Sequence, residues 1–281
     1  GILAVTFTSE AAAEMRHRIE TQLGLPSAPL WIGTFHGICH RLLRLHWREA
    51  GLPQGFQILD GEDQQRLVKK IIRGLYEDAC RRNGVVDFAE LLLRCYEILR
   101  EAPGLGEHYR ARFRHVLVDE FQDTNTIQYN WMKALVGSSS VPYVVGDDDQ
   151  SIYRWRGARV ENLQQYRKDF HDVQLFRLEQ NYRSTGNILD AANAIIGNNS
   201  GRIGKKLWTS EGKGAPIRLF RAYNERDEAE FVIGKIREWI ARGGKRADNA
   251  ILYRSNAQSR VFEEYLLAAR IPYRVYGGLR F

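Results

Sequence analysis

The sequence is poor in cysteine and contains no long apolar run. Its three cysteines, Cys39, Cys80 and Cys95, lie far apart and lack the short spacing of metal ligands. We therefore expect reduced thiols in a cytosolic protein rather than a disulfide scaffold. No apolar run approaches the roughly 18 residues that span a bilayer. The first five residues, GILAV, are too short for the apolar core of a signal peptide and follow no basic segment.

Repeats and low-complexity segments are also absent. The 281 residues are enough for one large domain or two modest ones, and the 44% of hydrophobic residues suffices for packed cores. The net charge of +7 favours polyanions such as nucleic acid, although many soluble proteins are mildly basic. The charge becomes informative only where basic and aromatic residues lie together.

Strand and helix patterns alternate along the chain, which predicts an α/β fold with a mainly parallel sheet. The first helix is expected to start after a cap at Thr8 or Ser9 and to end at Leu23, with Gly24 as its C-cap. A loop is predicted at residues 198–215, and a domain boundary near residues 178–181. We predict strands at residues 2–7, 115–118, 141–145, 174–178, 217–221 and 250–253. We predict further helices at residues 35–49, 61–73, 75–82, 87–101, 184–198, 227–241 and 256–269.

A short apolar strand ends in two acidic residues, Asp119 and Glu120. In open α/β sheets, ligands bind beyond the carboxyl ends of the strands. An Asp in this position can hold Mg²⁺, and the adjacent Glu can orient and deprotonate a water that attacks a γ-phosphate. For this short pattern alone, a solvated acidic strand end is an equally good interpretation.

A second polar strand end, Gly146–Gln150, continues into an element with two aromatic residues and two arginines. Gln150 can hydrogen-bond to a γ-phosphate or to its attacking water. Tyr153 and Trp155, with Arg156 beside them, suit a platform on which bases stack next to a phosphate track. The alternative is that the aromatic side chains belong to the core and the arginines form a solvated face.

Tyr182 and Arg183 open the segment after the predicted domain boundary. Arg183 is placed to act as an arginine finger, a group that stabilises transition-state charge and can raise a rate by about 10³–10⁵. Tyr182 could stack on an adenine. The alternative, which is compatible with the first, is a Tyr-Arg pair at the start of a helix that Ser184 caps.

Five strings resemble the sequence motifs of the UvrD/Rep/PcrA-type superfamily 1 DNA helicases. The likeness extends from residue 2 to residue 281 and is closest to the UvrD branch. The strings are AVTFTSEAA at 4–12 (motif Ia), IGTFHG at 32–37 (motif Ib), DEFQDTN at 119–125 (motif II), GDDDQSIYRWRGA at 146–158 (motif III) and LEQNYRS at 178–184 (motif IV). Family-typical stretches outside the motifs lie at 56–60, 86–92 and 250–258.

The resemblance implies a fold of RecA-like P-loop NTPase motor domains, which are α/β domains with parallel sheets, flanking helices and here a shortened helical insertion. The first domain would cover residues 1–178, without its P-loop and with a truncated insertion at about 37–113. Residues 179–281 would form the N-terminal part of the second domain.

The resemblance also implies an ATP-dependent 3′–5′ DNA helicase and translocase on single-stranded DNA, which uses ATP and Mg²⁺ in DNA repair or replication. The implied catalytic residues are Asp119 (which would bind Mg²⁺), Glu120, Gln150 and Arg183, and ATP would also contact Tyr182. The implied DNA-binding residues are Phe7, Thr8, Thr34, His36, Tyr153, Trp155 and Arg156. Implied partners are single-stranded DNA, junctions of single- and double-stranded DNA, repair or replication proteins and other copies of the chain, in a bacterial cytoplasm at the nucleoid.

The chain departs from the family pattern at several points. Ser9-Glu10 stands where the family usually has Asn-Lys, and the acidic Glu10 cannot form an ion pair with phosphate. No G-x-x-x-x-G-K-[ST] string is present. The segment around residues 73–75 is much shorter than in the family, and motifs V and VI are not present. A polypeptide of these residues alone is therefore expected to turn over little or no ATP.

Two other functions remain open. The chain could be the helicase part of a helicase-nuclease, although it shows no nuclease motif. It could also be a non-catalytic module that binds single-stranded DNA or a partner on a remnant of the fold. The joint presence of Asp119, Glu120, Gln150 and Arg183 argues against this module, because binding alone does not require that set.

Overall fold

The computed structural model describes residues 1–24, 30–59 and 73–276. The chain forms two compact units. The first unit comprises Gly1–Gln180 together with Asn193–Leu207, and the second comprises Asn181–Ala192 together with Trp208–Phe281. The chain therefore leaves the first unit after Gln180, returns to it at Asn193 and leaves again after Leu207. The helix predicted at 61–73 lies outside the described residues, except for residue 73.

A four-stranded parallel sheet, in the order β2-β1-β5-β6, forms the centre of the first unit. The predicted strands at 2–7, 115–118 and 141–145 are confirmed. The carboxyl ends of all four strands meet at one edge, because the strands run in the same direction. The strands are β1 (Ile2–Thr6), β2 (Trp31–Thr34), β3 (Gln57–Ile58), β4 (Val85–Val86), β5 (His115–Val118) and β6 (Val141–Val144), of which β3 and β4 form a separate short ladder.

The flanking helices follow the local capping signals of the sequence. The Thr8 hydroxyl accepts a hydrogen bond from the Ala11 N–H at 3.1 Å, and Gly24 ends the helix in the left-handed conformation with φ 62°. This helix is confirmed at both ends. The helices of the first unit are α1 (Ser9–Leu23), α2 (Phe35–Leu45), α3 (Arg73–Asn83), α4 (Phe88–Glu101), α5 (Leu105–Arg112), α6 (Thr126–Leu135) and α7 (Asn162–Asp169).

The second helix is shorter than predicted. It ends at Leu45, although the sequence pattern extends to residue 49. The chain turns instead, because Leu52 N–H donates to Trp47 O at 2.8 Å and Gly51 takes a left-handed conformation with φ 63°.

One contiguous apolar cluster packs against the sheet. Trp131 is fully buried in this cluster and its indole N–H donates to Cys95 Sγ at 3.2 Å. Cys39 is also fully buried, and both cysteines are free thiols. Each fully buried large apolar side chain contributes about 1.5–3 kcal/mol to folding. The cluster therefore holds the sheet, and with it the strand ends, in place.

Helices are the regular secondary structure in the described part of the second unit, and irregular segments connect them. Ile233, Ile236 and Leu266 form its small core. Asn224 caps the longest helix by accepting hydrogen bonds from Arg226 N–H at 3.0 Å and from the next residue at 2.9 Å. Its helices are α9 (Glu225–Ala241) and α10 (Ser259–Ala268), while α8 (Gly186–Ile196) runs from the second unit into the segment that belongs to the first. Among the described residues, no helix combines the length and apolar character needed to cross a membrane.

The strands predicted at 174–178, 217–221 and 250–253 are wrong, because none of these segments pairs into a sheet. A strand forms only where a neighbour takes up its backbone hydrogen bonds. No described residue supplies such a neighbour here. Leu178, Leu219 and Leu252 are accordingly 79%, 97% and 92% exposed.

Candidate functional site

Two carboxylates follow β5 at the carboxyl edge of the sheet. Asp119 N–H still donates to Val5 O at 3.0 Å, so this residue continues the ladder, and its carboxylate accepts from Glu120 N–H at 3.0 Å. Glu120 then takes a left-handed backbone conformation with φ 52°, which is unusual for a residue with a side chain. The tight turn places two acidic side chains next to each other where the sheet ends.

Gln122 connects this turn to the neighbouring strand end. Its side-chain N–H donates to Glu120 Oε2 at 2.8 Å, and its side-chain oxygen accepts from Asp147 N–H at 2.9 Å. The side chain is almost completely buried, with 1% exposure. A Cβ at Gly146 would lie 2.8 Å from Gln122 Oε1, so only glycine leaves room for this bridge.

The carboxylates at this edge are suited to a divalent cation. Burial raises the pKa of Asp119; the hydrogen bond from Glu120 N–H opposes this, and the Glu120 charge adds a smaller upward effect. Burial and Glu120 also raise the pKa of Asp123, whose Oδ1 is buried without a hydrogen-bond partner. A hard cation such as Mg²⁺ prefers oxygen ligands and would stabilise these ionised groups. The carboxylate oxygens at this edge therefore fit Mg²⁺ as ligands.

The turn after β6 carries three adjacent aspartates, Asp147–Asp149, whose carboxylate oxygens lie within 4.8 Å of one another. The Gln150 side chain donates from Nε2 to Asp147 Oδ2 at 2.7 Å. Although burial opposes ionisation, hydrogen bonds from Lys205 and then Gln150 hold the pKa of Asp147 below its ordinary value. Arg202 forms an ion pair with Asp149. Lys205 and Arg202 thus balance the charges of Asp147 and Asp149, and we do not assign a metal to the three aspartates.

Of the two aromatic residues after this turn, Trp155 is exposed and Tyr153 is half-buried. Trp155 is 72% exposed, which excludes the alternative that it is a core residue. The Arg156 guanidinium lies 4.6 Å from the Trp155 ring centroid and 5.1 Å from that of Tyr153. An exposed indole with a guanidinium beside it offers both a stacking surface and a positive charge.

The predicted DNA contacts in the N-terminal part have local structural roles. The Thr8 and Thr34 hydroxyls accept hydrogen bonds from the first turns of α1 and α2, at 3.1 Å in both cases. Phe7 packs against Phe35 with ring centroids 5.3 Å apart. Burial lowers the pKa of His36, so its imidazole is neutral near pH 7 and carries no charge for a phosphate. Helix capping accounts for Thr8 and Thr34, and packing against Phe35 accounts for Phe7, without DNA.

Tyr182 and Arg183 lie in the second unit and both are exposed. The Asn181 side chain accepts hydrogen bonds from Arg183 N–H at 2.9 Å and from Ser184 N–H at 2.7 Å. The helix begins later, at Gly186. The prediction that Ser184 caps the helix is therefore wrong, because the turn that precedes the helix is organised by Asn181. The carboxylates, Gln122 and Gln150 form their group within the first unit.

The sequence did not predict the contacts that Gln122, Lys205 and Arg202 make with the site residues. Gln122 lies inside a recognised motif, but only the structure shows that it reaches both strand ends. Lys205 and Arg202 lie in the segment 198–215, for which the sequence predicts only a loop. Its basic residues were a signal that could have indicated acidic partners.

Two family models match the chain. Residues 1–75 and 72–171 match the UvrD/REP helicase N-terminal domain, and residues 176–281 match the UvrD-like helicase C-terminal domain. The whole chain is 52% identical to DNA helicase II of Escherichia coli (strain K12) and 49% identical to DNA helicase II of Haemophilus influenzae. It is 36% identical to the ATP-dependent DNA helicase PcrA of Staphylococcus aureus (strain Mu50).

The chain spans 45% of the length of each of these relatives. The alignment with the Escherichia coli protein runs over 326 residues, against 281 in this chain. That relative therefore contains residues within the aligned region that this chain lacks. The two matches to the N-terminal domain, 1–75 and 72–171, overlap at residues 72–75.

Proposed function

We propose that this chain, which belongs to the UvrD/REP helicase family, forms part of an ATP-driven DNA helicase. The enzyme moves 3′ to 5′ on single-stranded DNA and unwinds duplex at junctions, in DNA repair or replication in the bacterial cytoplasm. The observation that carries this proposal is the hydrogen-bonded path from Glu120 through Gln122 and Asp147 to Gln150. It joins a carboxylate base to an amide sensor.

The chemistry assigned to the site is attack of a water on the γ-phosphorus of ATP. The new P–O bond forms as the bond to the β,γ-bridging oxygen breaks, and ADP leaves with that electron pair. Glu120 accepts the proton of the water, and Gln150 orients the water and the γ-phosphate. Arg183 stabilises the charge that develops, and Tyr182 stacks on the adenine. Mg²⁺, held by Asp119, would neutralise charge on the phosphate oxygens when bound.

The proposed DNA site lies beside this catalytic group in the sequence. Trp155 and Tyr153 stack on bases, and Arg156 balances the phosphate backbone. The exposure of Trp155 and the position of Arg156 over both rings support this assignment. For Phe7, Thr8, Thr34 and His36, a direct DNA contact stays a prediction beside the structural roles given above.

ATP hydrolysis by the full-length gene product, with and without single-stranded DNA, tests the proposal. We expect DNA-stimulated turnover and unwinding of a duplex with a 3′ single-stranded tail but not of one with a 5′ tail. Glu120→Gln should abolish turnover and keep DNA binding, because an amide cannot accept the proton of the water. A wild-type protein without DNA-stimulated turnover would refute the proposal.

Residues 1–281 alone provide a second experiment. They contain no G-x-x-x-x-G-K-[ST] string, and so we propose that a polypeptide of these residues binds single-stranded DNA but turns over little ATP. Substantial turnover by that polypeptide would refute this part of the proposal.

A further inference from the structure

A segment without regular secondary structure is fastened to the turn after β6 by its polar side chains. This docking segment, Gly201–Lys205, belongs to the first unit. Ile203 N–H donates to Asp148 Oδ2 at 2.6 Å, and Arg202 Nε donates to Asp149 Oδ1 at 2.8 Å. Lys205 forms an ion pair with Asp147 Oδ2 at 2.5 Å. Each aspartate of the turn thus has one partner in the docking segment.

The two ion pairs are largely shielded from water. Side-chain exposure is 18% for Lys205 and 17% for Asp147, and 21% for Arg202 and 12% for Asp149. Charges in such surroundings interact more strongly than charges on an open surface, because solvent screens them less. Three adjacent carboxylates would otherwise repel one another. The docking segment therefore determines the orientation of the aspartate side chains.

Asp147 differs from the other two aspartates because it also holds Gln150. Its Oδ2 accepts from Lys205 and from Gln150 Nε2, at 2.7 Å for the amide. Its Oδ1 accepts from Asp149 N–H at 3.1 Å, and its own N–H donates to Gln122. Both carboxylate oxygens are therefore committed, and the carboxylate has one orientation in which all its bonds are made.

This arrangement fixes which end of the Gln150 amide is available. The Nε2 group uses one hydrogen on Asp147, which leaves its second hydrogen and the Oε1 oxygen. The remaining N–H can donate to a phosphate oxygen, and Oε1 can accept from a water. If the amide rotated by 180°, its oxygen would face the phosphate oxygen and its N–H would face the water.

We propose that Lys205 is a positioning residue for ATP hydrolysis: through Asp147 it holds the Gln150 amide in the orientation that serves the γ-phosphate and the attacking water. The inference rests on the proposed function, since it requires that Gln150 acts on ATP. Lys205 itself touches neither reactant. Its effect belongs to the chemical step rather than to the binding of nucleotide or DNA.

The second ion pair provides a matched control. Arg202 fastens the same segment to the same turn, and it also donates to Lys205 O at 3.0 Å. Its partner Asp149 accepts no hydrogen bond from Gln150. Arg202→Gln therefore removes the ion pair with Asp149 and a hydrogen bond to the Lys205 backbone, and it leaves the side-chain bonds of Lys205 and Gln150 to Asp147 in place.

The experiment compares Lys205→Met, Lys205→Arg and Arg202→Gln with the wild type in the full-length gene product. For Lys205→Met we expect kcat to fall by about 10- to 100-fold, the range for a small misplacement of a catalytic group. KM for ATP and Kd for single-stranded DNA should stay within about twofold, because ground-state contacts are kept. Lys205→Arg restores the charge and should recover most of kcat. Arg202→Gln should lower the melting temperature and leave kcat within about twofold of the wild type.

The outcomes separate this inference from the proposed function. A wild type without DNA-stimulated turnover overturns the proposed function itself. An active wild type with an unchanged kcat in Lys205→Met overturns only the role of Lys205. Equal losses of kcat in Lys205→Met and Arg202→Gln, without recovery in Lys205→Arg, would show that folding of the segment matters and not the path to Gln150.

Discussion

Gln122 and Glu120 form a side-chain hydrogen bond of 2.8 Å in which the amide donates to the carboxylate. The other end of the same amide accepts from the backbone of the next strand end. Gln122 therefore holds the proposed base in register with the turn that carries Gln150. Both the nitrogen and the oxygen of the Gln122 amide are used in this bridge.

Gln122→Glu tests this relationship. The variant keeps an acceptor for Asp147 N–H but replaces the donor to Glu120 with a second carboxylate, which repels the first. We expect kcat for DNA-stimulated ATP hydrolysis to fall by about 10- to 100-fold, with KM for ATP changed less. An unchanged kcat at pH 7 would mean that Glu120 does not depend on this bond.

Gly146→Ala should damage the same bridge by a different route. The added Cβ would lie 2.8 Å from Gln122 Oε1 and 3.3 Å from Phe121 Cβ, so the amide must move. We expect lower turnover together with a lower melting temperature. Gly234→Ala is the control, since nothing lies within 4 Å of its added Cβ and alanine stabilises a helix by about 0.5–1 kcal/mol relative to glycine. Normal turnover in Gly146→Ala would contradict the steric argument.

Trp155→Ala should weaken binding of single-stranded DNA by about 1–3 kcal/mol at fixed salt, since a stacked base contributes that much. The measurement is a fluorescence titration with a labelled oligonucleotide. Phe176→Ala is the control, because Phe176 is similarly exposed at 71% in the same unit. Equal Kd values for both variants and the wild type would leave Trp155 without a role in DNA binding.

Asp169 ties α6 to α7 and should make stability depend on pH. It accepts hydrogen bonds from Lys133 at 2.8 Å, Tyr129 at 2.7 Å and Gln165 at 2.8 Å. Its pKa is lowered, chiefly by Lys133. A lowered pKa contributes stability that is present above the unfolded value near about 4 and is lost as the pH falls through the folded value.

Asp169→Asn should therefore lower the free energy of unfolding by about 1 kcal/mol at pH 7, a modest amount because solvent screens the partly exposed Lys133. The difference from the wild type should shrink as the pH falls through the lowered pKa of Asp169. Denaturant titrations at several pH values measure both. Asp172→Asn is the control, because Asp172 is exposed and asparagine accepts its left-handed conformation. A difference that persisted at low pH would contradict the electrostatic cause.

The strands that carry the site could be predicted because each is an apolar run that ends in polar residues. The first helix could be predicted because Thr8 and Gly24 are strong local signals. The predictions of strands at 217–221 and 250–253 were wrong for a physical reason. An apolar, β-prone sequence is a property of one segment, whereas a strand requires a second segment to pair with. Local sequence contains no information on whether that partner is present.

The contacts of the site are harder to predict, because they join distant residues. Arg202 and Asp149 are 53 positions apart along the chain. Sequence motifs identified Glu120 and Gln150 separately. The two bridges between them, through Gln122 and Asp147, depend on the register of β5 with β6 and on a loop that returns to the first unit.

The left-handed backbone of Glu120 means that the position of its carboxylate is obtained at a cost in conformational energy. A residue with a Cβ in this conformation costs about 1–2 kcal/mol relative to glycine, and asparagine would also be better tolerated there. Glu120→Gly would remove that cost but leave the buried Gln122 amide without its acceptor, so the variant should gain no stability. The strain at Glu120 is therefore balanced locally by its carboxylate, which serves as acceptor for Gln122 and, under the proposed function, as the base.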